Sequence, residues 1–428
     1  MKTKILIVIL SAAIIIGSVV VIPILMDEET TEEKKSSDEP IYPSLGNITS
    51  FDDAVNHLAF NMFRKIVNDP QNSGNCFYSP YSIFTALAMC YEGAEGNTAF
   101  EMKNVLGIEQ DNESFQNYMK ALYEYLNINE EYNISTANAL WPDVGFNLLQ
   151  EFTDTIETYY GGKATEVEYG DPTEAAEIIN TWVEEQTNNL IKDLVPPSAI
   201  DPIWTKLILT NAIYFKGVWQ IQFDEENTTE REFILPDGST KQVETMKLVD
   251  TEDEFNYTET DDLQILELPY SGGDISMIII LPKDGVEIDD IINSITKEEY
   301  KERIDEMTSK EADIYLPKYK VETSYGIGDY LIDLGMIDAF AADADFSGIT
   351  GTRDLFIDKV LHKAFVEVNE EGTEAAAATA VIMALNAADP NQEPSRIIFD
   401  CNHPFIFTIH HKETGTILFM GEVMNPAE

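Results

Sequence analysis

The segment Glu370-Glu371-Gly372-Thr373-Glu374-Ala375-Ala376-Ala377-Ala378-Thr379-Ala380 is open to two readings. It follows the alternating run Ala364-Phe365-Val366-Glu367-Val368-Asn369. By propensity alone, four alanines among small residues form a helix. Read with period two, the odd positions from Thr373 to Leu385 are Thr, Ala, Ala, Thr, Val, Met and Leu. None is charged, and the single charged residue of that span, Glu374, falls on the other face. Such a segment can be a loop in one state and an inserted strand in another, with one face buried and no charge stranded. Small side chains suit it, because a strand entering a packed sheet must fit between neighbours already in place. A segment with two homes is a switch.

Outward from this hinge, six further landmarks occur in a fixed order. Asn75-Cys76-Phe77-Tyr78-Ser79-Pro80-Tyr81-Ser82-Ile83 lies upstream, and Leu209-Thr210-Asn211-Ala212-Ile213-Tyr214-Phe215-Lys216-Gly217-Val218-Trp219 occupies the middle. Then come Asp345-Phe346-Ser347-Gly348-Ile349, Val360-Leu361-His362-Lys363-Ala364, Phe405-Ile406-Phe407 and Leu418-Phe419-Met420-Gly421-Glu422-Val423-Met424-Asn425-Pro426. Together with the hinge they span nearly everything from Phe51 to Pro426. On these motifs the chain resembles the serpin family, protease inhibitors that trap their target by inserting their own cleaved loop.

The resemblance implies an α+β fold of three β-sheets and eight or nine helices, with an exposed reactive-centre loop. It implies a suicide substrate for a target protease, of serine type first and cysteine type second, and no catalytic residue in this chain. Glu370, Glu371, Gly372, Thr373, Glu374, Ala375, Ala376, Ala377, Ala378 and Thr379 would be the hinge. Ser79, Ser82, Asn211 and His362 would lie where the large sheet opens; read without the family, they are ordinary core hydrogen-bonding residues. Trp219 would pack at the upper end of that sheet, where Glu370 would meet Lys318. In the family the scissile bond follows the seventeenth residue counted from the first hinge glutamate, which places it at Asn386-Ala387. The stretch from Ala387 to Phe399 is longer than the family pattern and carries Pro390 and Pro394, so Leu385 and Met383 stand as register alternatives. Arg396 lies too close to the following strand to be bait. The rival within the family is a non-inhibitory member with a binding, chaperone or storage role. Against it, Thr373, Ala375, Ala377 and Thr379 are all small.

Composition narrows the field further. The net charge is −50, from 77 acidic against 27 basic residues, and 44% of residues are apolar. Nucleic-acid binding needs clusters of Lys and Arg that this chain lacks. The carboxylate excess serves solubility or suits a salty milieu, where screening relieves self-repulsion. Cys76, Cys90 and Cys401 form no C-x-x-C pair and read as buried small hydrophobes. The five histidines lack metal-ligand spacing, and His410 and His411, adjacent in a strand, should point to opposite faces. No metal or other cofactor is expected. No G-x-S-x-G elbow, H-E-x-x-H helix or phosphate loop occurs, so an enzyme is not expected either.

The chain divides into three parts. Residues 1–26 carry Lys2 and Lys4 before an apolar stretch from Ile5 to Met26, long enough to span a bilayer as an anchor. A cleaved signal peptide is the alternative. Residues 27–46 are an acidic flexible linker, and residues 47–428 the serpin-like domain, a monomer exported to the cell surface or beyond. Five N-x-[ST] triplets, at Asn47, Asn112, Asn133, Asn227 and Asn256, are compatible with export.

Apolar stripes at helical spacing run through Val55–Ile66 and Phe115–Leu126, with further helices over Phe84–Tyr91, Leu149–Tyr159, Ala175–Asn188 and Tyr325–Leu334. Strands are expected over Ile134–Trp141, Leu207–Phe215, Leu263–Leu268, Ile275–Leu281, Ile314–Val321, Phe356–Val368, Phe405–His410 and Ile417–Val423. Asp237-Gly238 and Gly272-Gly273 mark hairpins.

Overall fold

A computed structural model describes residues 52–128, 132–373 and 396–428, all within the unit Tyr42–Glu428. In its first half, α1 (Asp52–Val67), β1 (Cys76–Tyr78), α2 (Pro80–Tyr91), α3 (Gly96–Leu106) and α4 (Asn112–Ile128) precede β2 (Tyr132–Pro142). Next come α5 (Gln150–Tyr160), β3 (Lys163–Ala164), α6 (Pro172–Gln186) and β4 (Leu207–Val218). Five strands succeed them: β5 (Thr229–Ile234), β6 (Thr240–Leu248), β7 (Glu254–Glu259), β8 (Leu263–Pro269) and β9 (Ile275–Pro282). Then α7 (Ile288–Ser294) and α8 (Lys297–Asp305) lead into β10 (Thr308–Pro317), β11 (Tyr319–Gly326), α9 (Gly328–Asp333) and α10 (Ser347–Thr350). The last strands are β12 (Lys359–Val368), β13 (Gly372–Thr373), β14 (Ile397–Asp400), β15 (Phe405–His411) and β16 (Ile417–Val423).

Local chemistry explains the helices that position the site. Val55, Leu58, Ala59, Met62, Phe63 and Ile66 of α1 are fully buried, as their spacing predicts. Helix α2 starts at Ser79, whose hydroxyl accepts from Ser82 N, and Pro80 occupies the first turn, where its missing N–H costs nothing. Eleven of its residues are buried, so it is an internal helix. Helix α6 is capped by Asp171, again with Pro next.

The six-stranded sheet has the order β11-β12-β13-β4-β2-β3, and β12 also pairs with β4 directly. Its central strand β4 is covered on both faces. Leu209, Ile213 and Phe215 join the main core, whereas Ile208 and Ala212 pack towards α6 with Ala139, Ile179 and Val183. Burial on both faces is why β4 reads as an almost unbroken apolar run. The other sheet path is β1-β16-β15-β9-β8-β7-β10-β6-β5, with β14 on β10. Strand β10 belongs to two halves of it: Thr308–Glu311 pairs with β7, and Ala312–Pro317 with β6 and β14. The expected three sheets are thus present with two of them joined through β10. Ten α-helices lie among the described residues, against the eight or nine expected; the short α9 and α10 raise the number.

Three expectations from the sequence need correction. Ile314–Val321 is not one strand, since Pro317 offers no N–H and Lys318 N turns to Glu244 O at 2.9 Å, sending β11 into the other sheet. Tyr325–Leu334 is a helix only from Gly328, because Tyr325 and Gly326 pair with His362 and Leu361. The strand read from Phe356 begins at Lys359. Helices α3, α7 and α8 and strand β7 have no counterpart among the elements read from the sequence. The two hairpins, β5–β6 and β8–β9, are antiparallel as expected. Among the described residues no helix is long and apolar enough to cross a membrane; the expected anchor or signal, residues 1–26, and the linker lie outside them.

Candidate functional site

The site is built where β12 and β4 run side by side. Seven residue pairs, from Lys359↔Ile208 to Phe365↔Tyr214, are in parallel register. Above them the two strands no longer meet, and β13 fills the space. Thr373 pairs with Val368 on one side and Gly217 on the other, both antiparallel, and Gly372 pairs with Val218.

A tight turn makes this possible. Asn369 N donates to Gly372 O at 2.9 Å and Gly372 N to Asn369 O at 3.2 Å. The Asn369 side-chain oxygen accepts from Glu371 N and Gly372 N at 3.0 and 3.2 Å, as turn-forming Asn residues do. Gly372 has φ +155°, and a Cβ there would fall 2.1 Å from Gly217 O, so no larger residue fits.

Trp219 lies at this upper end and is buried. Its ring stacks on Tyr270 with centroids 4.4 Å apart, and its indole N–H donates to Asn369 O at 3.0 Å. Trp219 N and Phe223 N donate to Glu371 O and Glu370 O at 2.9 and 3.0 Å. The Tyr270 and Thr373 hydroxyls lie 2.6 Å apart. Glu370, 6% exposed, accepts from Thr228 Oγ1 at 2.7 Å and meets Lys318 Nζ at 3.2 Å. Burial opposes its charge, but these hydrogen bonds outweigh it and hold the carboxyl below its usual range.

Lower down, Ser79, Ser82, Asn211 and His362 form one buried network. Ser79 N donates to His362 Nε2 at 3.1 Å, which leaves His362 Nδ1 to donate to Asn211 Oδ1. Asn211 Nδ2 donates to Ser82 Oγ and to Asn138 Oδ1, both at 2.5 Å. Ser82 Oγ donates to Asn138 Oδ1 at 3.0 Å, and Ser79 Oγ to Leu418 O at 2.6 Å. Burial lowers the His362 pKa to about 3, so the ring is neutral. The juxtaposed Ser and His are no catalytic pair, since the Ser79 hydroxyl is committed to Leu418 and the imidazole faces a backbone N–H. Asn138, Tyr270 and Thr228 were missed. For Asn138 a signal existed: it is a buried amide inside the apolar run Ala137–Trp141.

Hinge residues Glu374, Ala375, Ala376, Ala377, Ala378 and Thr379, and the bond candidates Asn386, Ala387, Leu385 and Met383, lie outside the described residues. Arg396, just beyond, is fully engaged: Nε donates to Asp313 at 3.2 Å, Nη1 lies 3.5 Å from Glu311, and Nη2 donates to Thr251 O. All three cysteines are buried free thiols. His410 and His411 are both buried in different surroundings, His410 Nδ1 3.4 Å from Tyr300 OH and His411 Nδ1 2.9 Å from Thr414. Among the described residues no group of three His, Cys, Asp or Glu side chains is placed to hold a metal.

A family model described as "Serpin (serine protease inhibitor)" matches residues 53–426. An uncharacterized serpin-like protein of Thermococcus kodakarensis is 42% identical over 378 residues, 88% of this chain and 85% of that protein. Among solved structures, Serpin48 of the insect Tenebrio molitor has a TM-score of 0.78 at 33% identity, covering 89% of this chain and 99% of its own. Human thyroxine-binding globulin, solved as a complex with thyroxine, has a TM-score of 0.79 at 26% identity, covering 89% of this chain and 100% of its own.

Proposed function

This chain belongs to the serpin family, most of whose members are protease inhibitors and not catalysts, and from that premise we propose that it traps serine-type endopeptidases as a suicide substrate. One observation carries the reading: Gly372 and Thr373 are already paired between β12 and β4, directly above seven parallel pairs that a longer insertion would part.

The protease serine hydroxyl attacks the carbonyl carbon of Asn386, and the bond to Ala387 breaks. The serine proton passes through the protease base to the departing amine, leaving Asn386 as an ester. The freed hinge then continues the strand begun at Gly372. Insertion exchanges the seven β12–β4 parallel pairings for antiparallel ladders on both sides of the new strand, the more stable arrangement per residue. A strand of about 15 residues is roughly 50 Å long, so the ester is carried from one end of the sheet to the other. With its oxyanion hole distorted, the protease cannot finish hydrolysis. Small residues at Thr373, Ala375, Ala377 and Thr379 fit the gap. The Ser79, Ser82, Asn138, Asn211 and His362 network keeps polar groups satisfied where the strands part.

Incubation with a panel of serine and cysteine proteases tests this. Denaturant-resistant adducts are expected, with serine enzymes first; cleavage without any adduct would refute inhibition. The likeness to thyroxine-binding globulin favours a second reading, a non-inhibitory binding serpin, for which the loop would be cut and the melting temperature would not rise. The domain is proposed to act outside the cell as a monomer, following the anchor or signal of residues 1–26 and the tether of residues 27–46. The N-terminal sequence of the mature protein, taken from secreted and membrane fractions, tests that placement.

A further inference from the structure

Ile203 and Trp204 each stand with 69% of their surface exposed, yet the turn that carries them is firmly built. Asp201 Oδ1 accepts from Ile203 N at 2.9 Å and from Trp204 N at 3.1 Å. Thr205 N donates back to Asp201 O at 3.0 Å, and Asp201 N donates to Thr205 Oγ1 at 2.9 Å. Thr205 Oγ1 in turn donates to Asp358 at 2.9 Å, and Asp358 N donates to Leu207 O at 2.9 Å. The turn is therefore tied to the start of β4 and to the residue before β12, the two strands that flank the insertion gap. An exposed Ile-Trp pair held this rigidly is a contact surface whose ordering cost is already met.

The register at the other end of the gap says what would arrive there. Thr373 lies opposite Gly217, and each further residue of an antiparallel insertion meets one residue earlier in β4. Thirteen positions beyond Thr373 is Asn386, and thirteen positions before Gly217 is Trp204. Continued to its end, the inserted strand carries the Asn386 ester about 10 Å past Leu207, the first residue of β4, off the end of the sheet from which this turn leads into β4.

We propose that Ile203 and Trp204 are the surface on which the acylated protease packs after insertion. The proposal rests on the inhibitory reading above. The ester defines the partner's chemistry: the protease must present the rim of its own substrate cleft, where apolar subsites for peptide side chains surround the acylated serine. An indole and an isoleucine side chain seated against that rim bury apolar surface on both partners and oppose recovery of the native protease.

The test uses the full chain, subtilisin and chymotrypsin. Acrylamide quenching of Trp204, taken as the difference between wild type and Trp204→Phe, is compared in the native protein, the loop-cleaved protein without protease, and the isolated adduct. Exposure is expected in the first two and protection in the third. The double variant Ile203→Ser/Trp204→Ser should form adduct at the wild-type rate but release active protease about tenfold faster, an effect confined to dissociation. Equal quenching in adduct and cleaved protein, or adducts of unchanged lifetime, overturns the proposal and leaves inhibition standing. Absence of adduct with either enzyme, while the loop is cut, overturns inhibition and this proposal with it.

Discussion

Lys318 Nζ lies 3.2 Å from the carboxylate of Glu370, joining the link between β10 and β11 to the turn that starts the inserted strand. Glu370 is almost fully buried, whereas Lys318 keeps 32% of its side chain in water. The pair is therefore asymmetric: losing the lysine strands a buried carboxylate, while losing the carboxylate frees an ammonium that water can take. Lys318→Met should destabilise by about 2 kcal/mol. The double variant Lys318→Met/Glu370→Gln should recover most of that loss. Urea midpoints of the four proteins check this, and equal losses in the single and double variants would show that the pair is not coupled.

Acid should weaken the fold through its histidines. Burial lowers the pKa of His362 to about 3 and of His410 and His411 to about 4. The folded protein thus binds fewer protons than the unfolded chain, so this stability is complete above pH 6.5 and is lost as pH falls towards 3. Melting curves between pH 8 and pH 3 should show the decline. His362→Asn should be less stable at pH 8 and should have a shallower slope below pH 6.5.

Glu422 acts in the opposite direction. Its carboxyl, 5% exposed on β16, is raised to about 8 by burial and by the charge of Asp289. The folded state holds this proton more tightly than the unfolded chain, so stability is greatest below pH 4.5 and falls as pH rises through 8. Glu422→Gln should match wild type near pH 4.5 and exceed it by a few kcal/mol at pH 8.5. A wild-type advantage at pH 8.5 would show the carboxylate to be paired and stabilising.

Thr373 is already inside the sheet at rest, fully buried and bonded to Tyr270. Thr373→Arg would have to bury an unpaired cation in the resting state as well as after cleavage, at a cost of several kcal/mol. The variant should melt lower and be cut as a substrate, with little adduct, whereas Thr373→Ser should keep both properties. Full adduct yield from the arginine variant would sink the inserted-strand reading.

What was legible in the sequence was whatever one element states by itself. The α1 stripe and the apolar run of β4 state their own buried faces, whereas α2, read from Phe84, begins at Pro80 after the Ser79 cap. The break at Pro317–Lys318 had a cue in Pro317 itself, but where the chain goes next had none, because only the pairing of β10 with β6 and the bond from Lys318 N to Glu244 O send it into the other sheet. Helix α3 was hidden too: Glu95 makes no side-chain cap, and few of its residues are buried. The site was readable where a family motif covers it, as at Asn211 and His362. It was not readable where a partner comes from a distant strand with no local cue, as with Tyr270 beyond β8, whereas Asn138 in β2 had a cue, an amide within an apolar run, that went unused.

The loop should be cut well before Arg396, and the cut should stabilise the protein. Arg396 is held by Asp313, Glu311 and Thr251 at the head of β14, and β14 is paired with β10 from Ile397 onward. A protease would have to strip this anchor to reach it, so a trypsin-like cut there is disfavoured. The peptide released on denaturing the cleaved protein should begin between Ala384 and Ala387, with Ala387 the main product by mass spectrometry; a peptide beginning at Ile397 would show the assignment wrong. Cleavage should also raise the melting temperature sharply. Before it, Gly372 and Thr373 are the described hinge residues in the sheet, and seven β12–β4 pairs below them are parallel. Afterwards, the hinge can extend from Thr373 to the level of Leu207, adding about ten residues bonded on both sides. An unchanged melt after complete cleavage would mean that the strand does not enter, and would favour the binding role over inhibition.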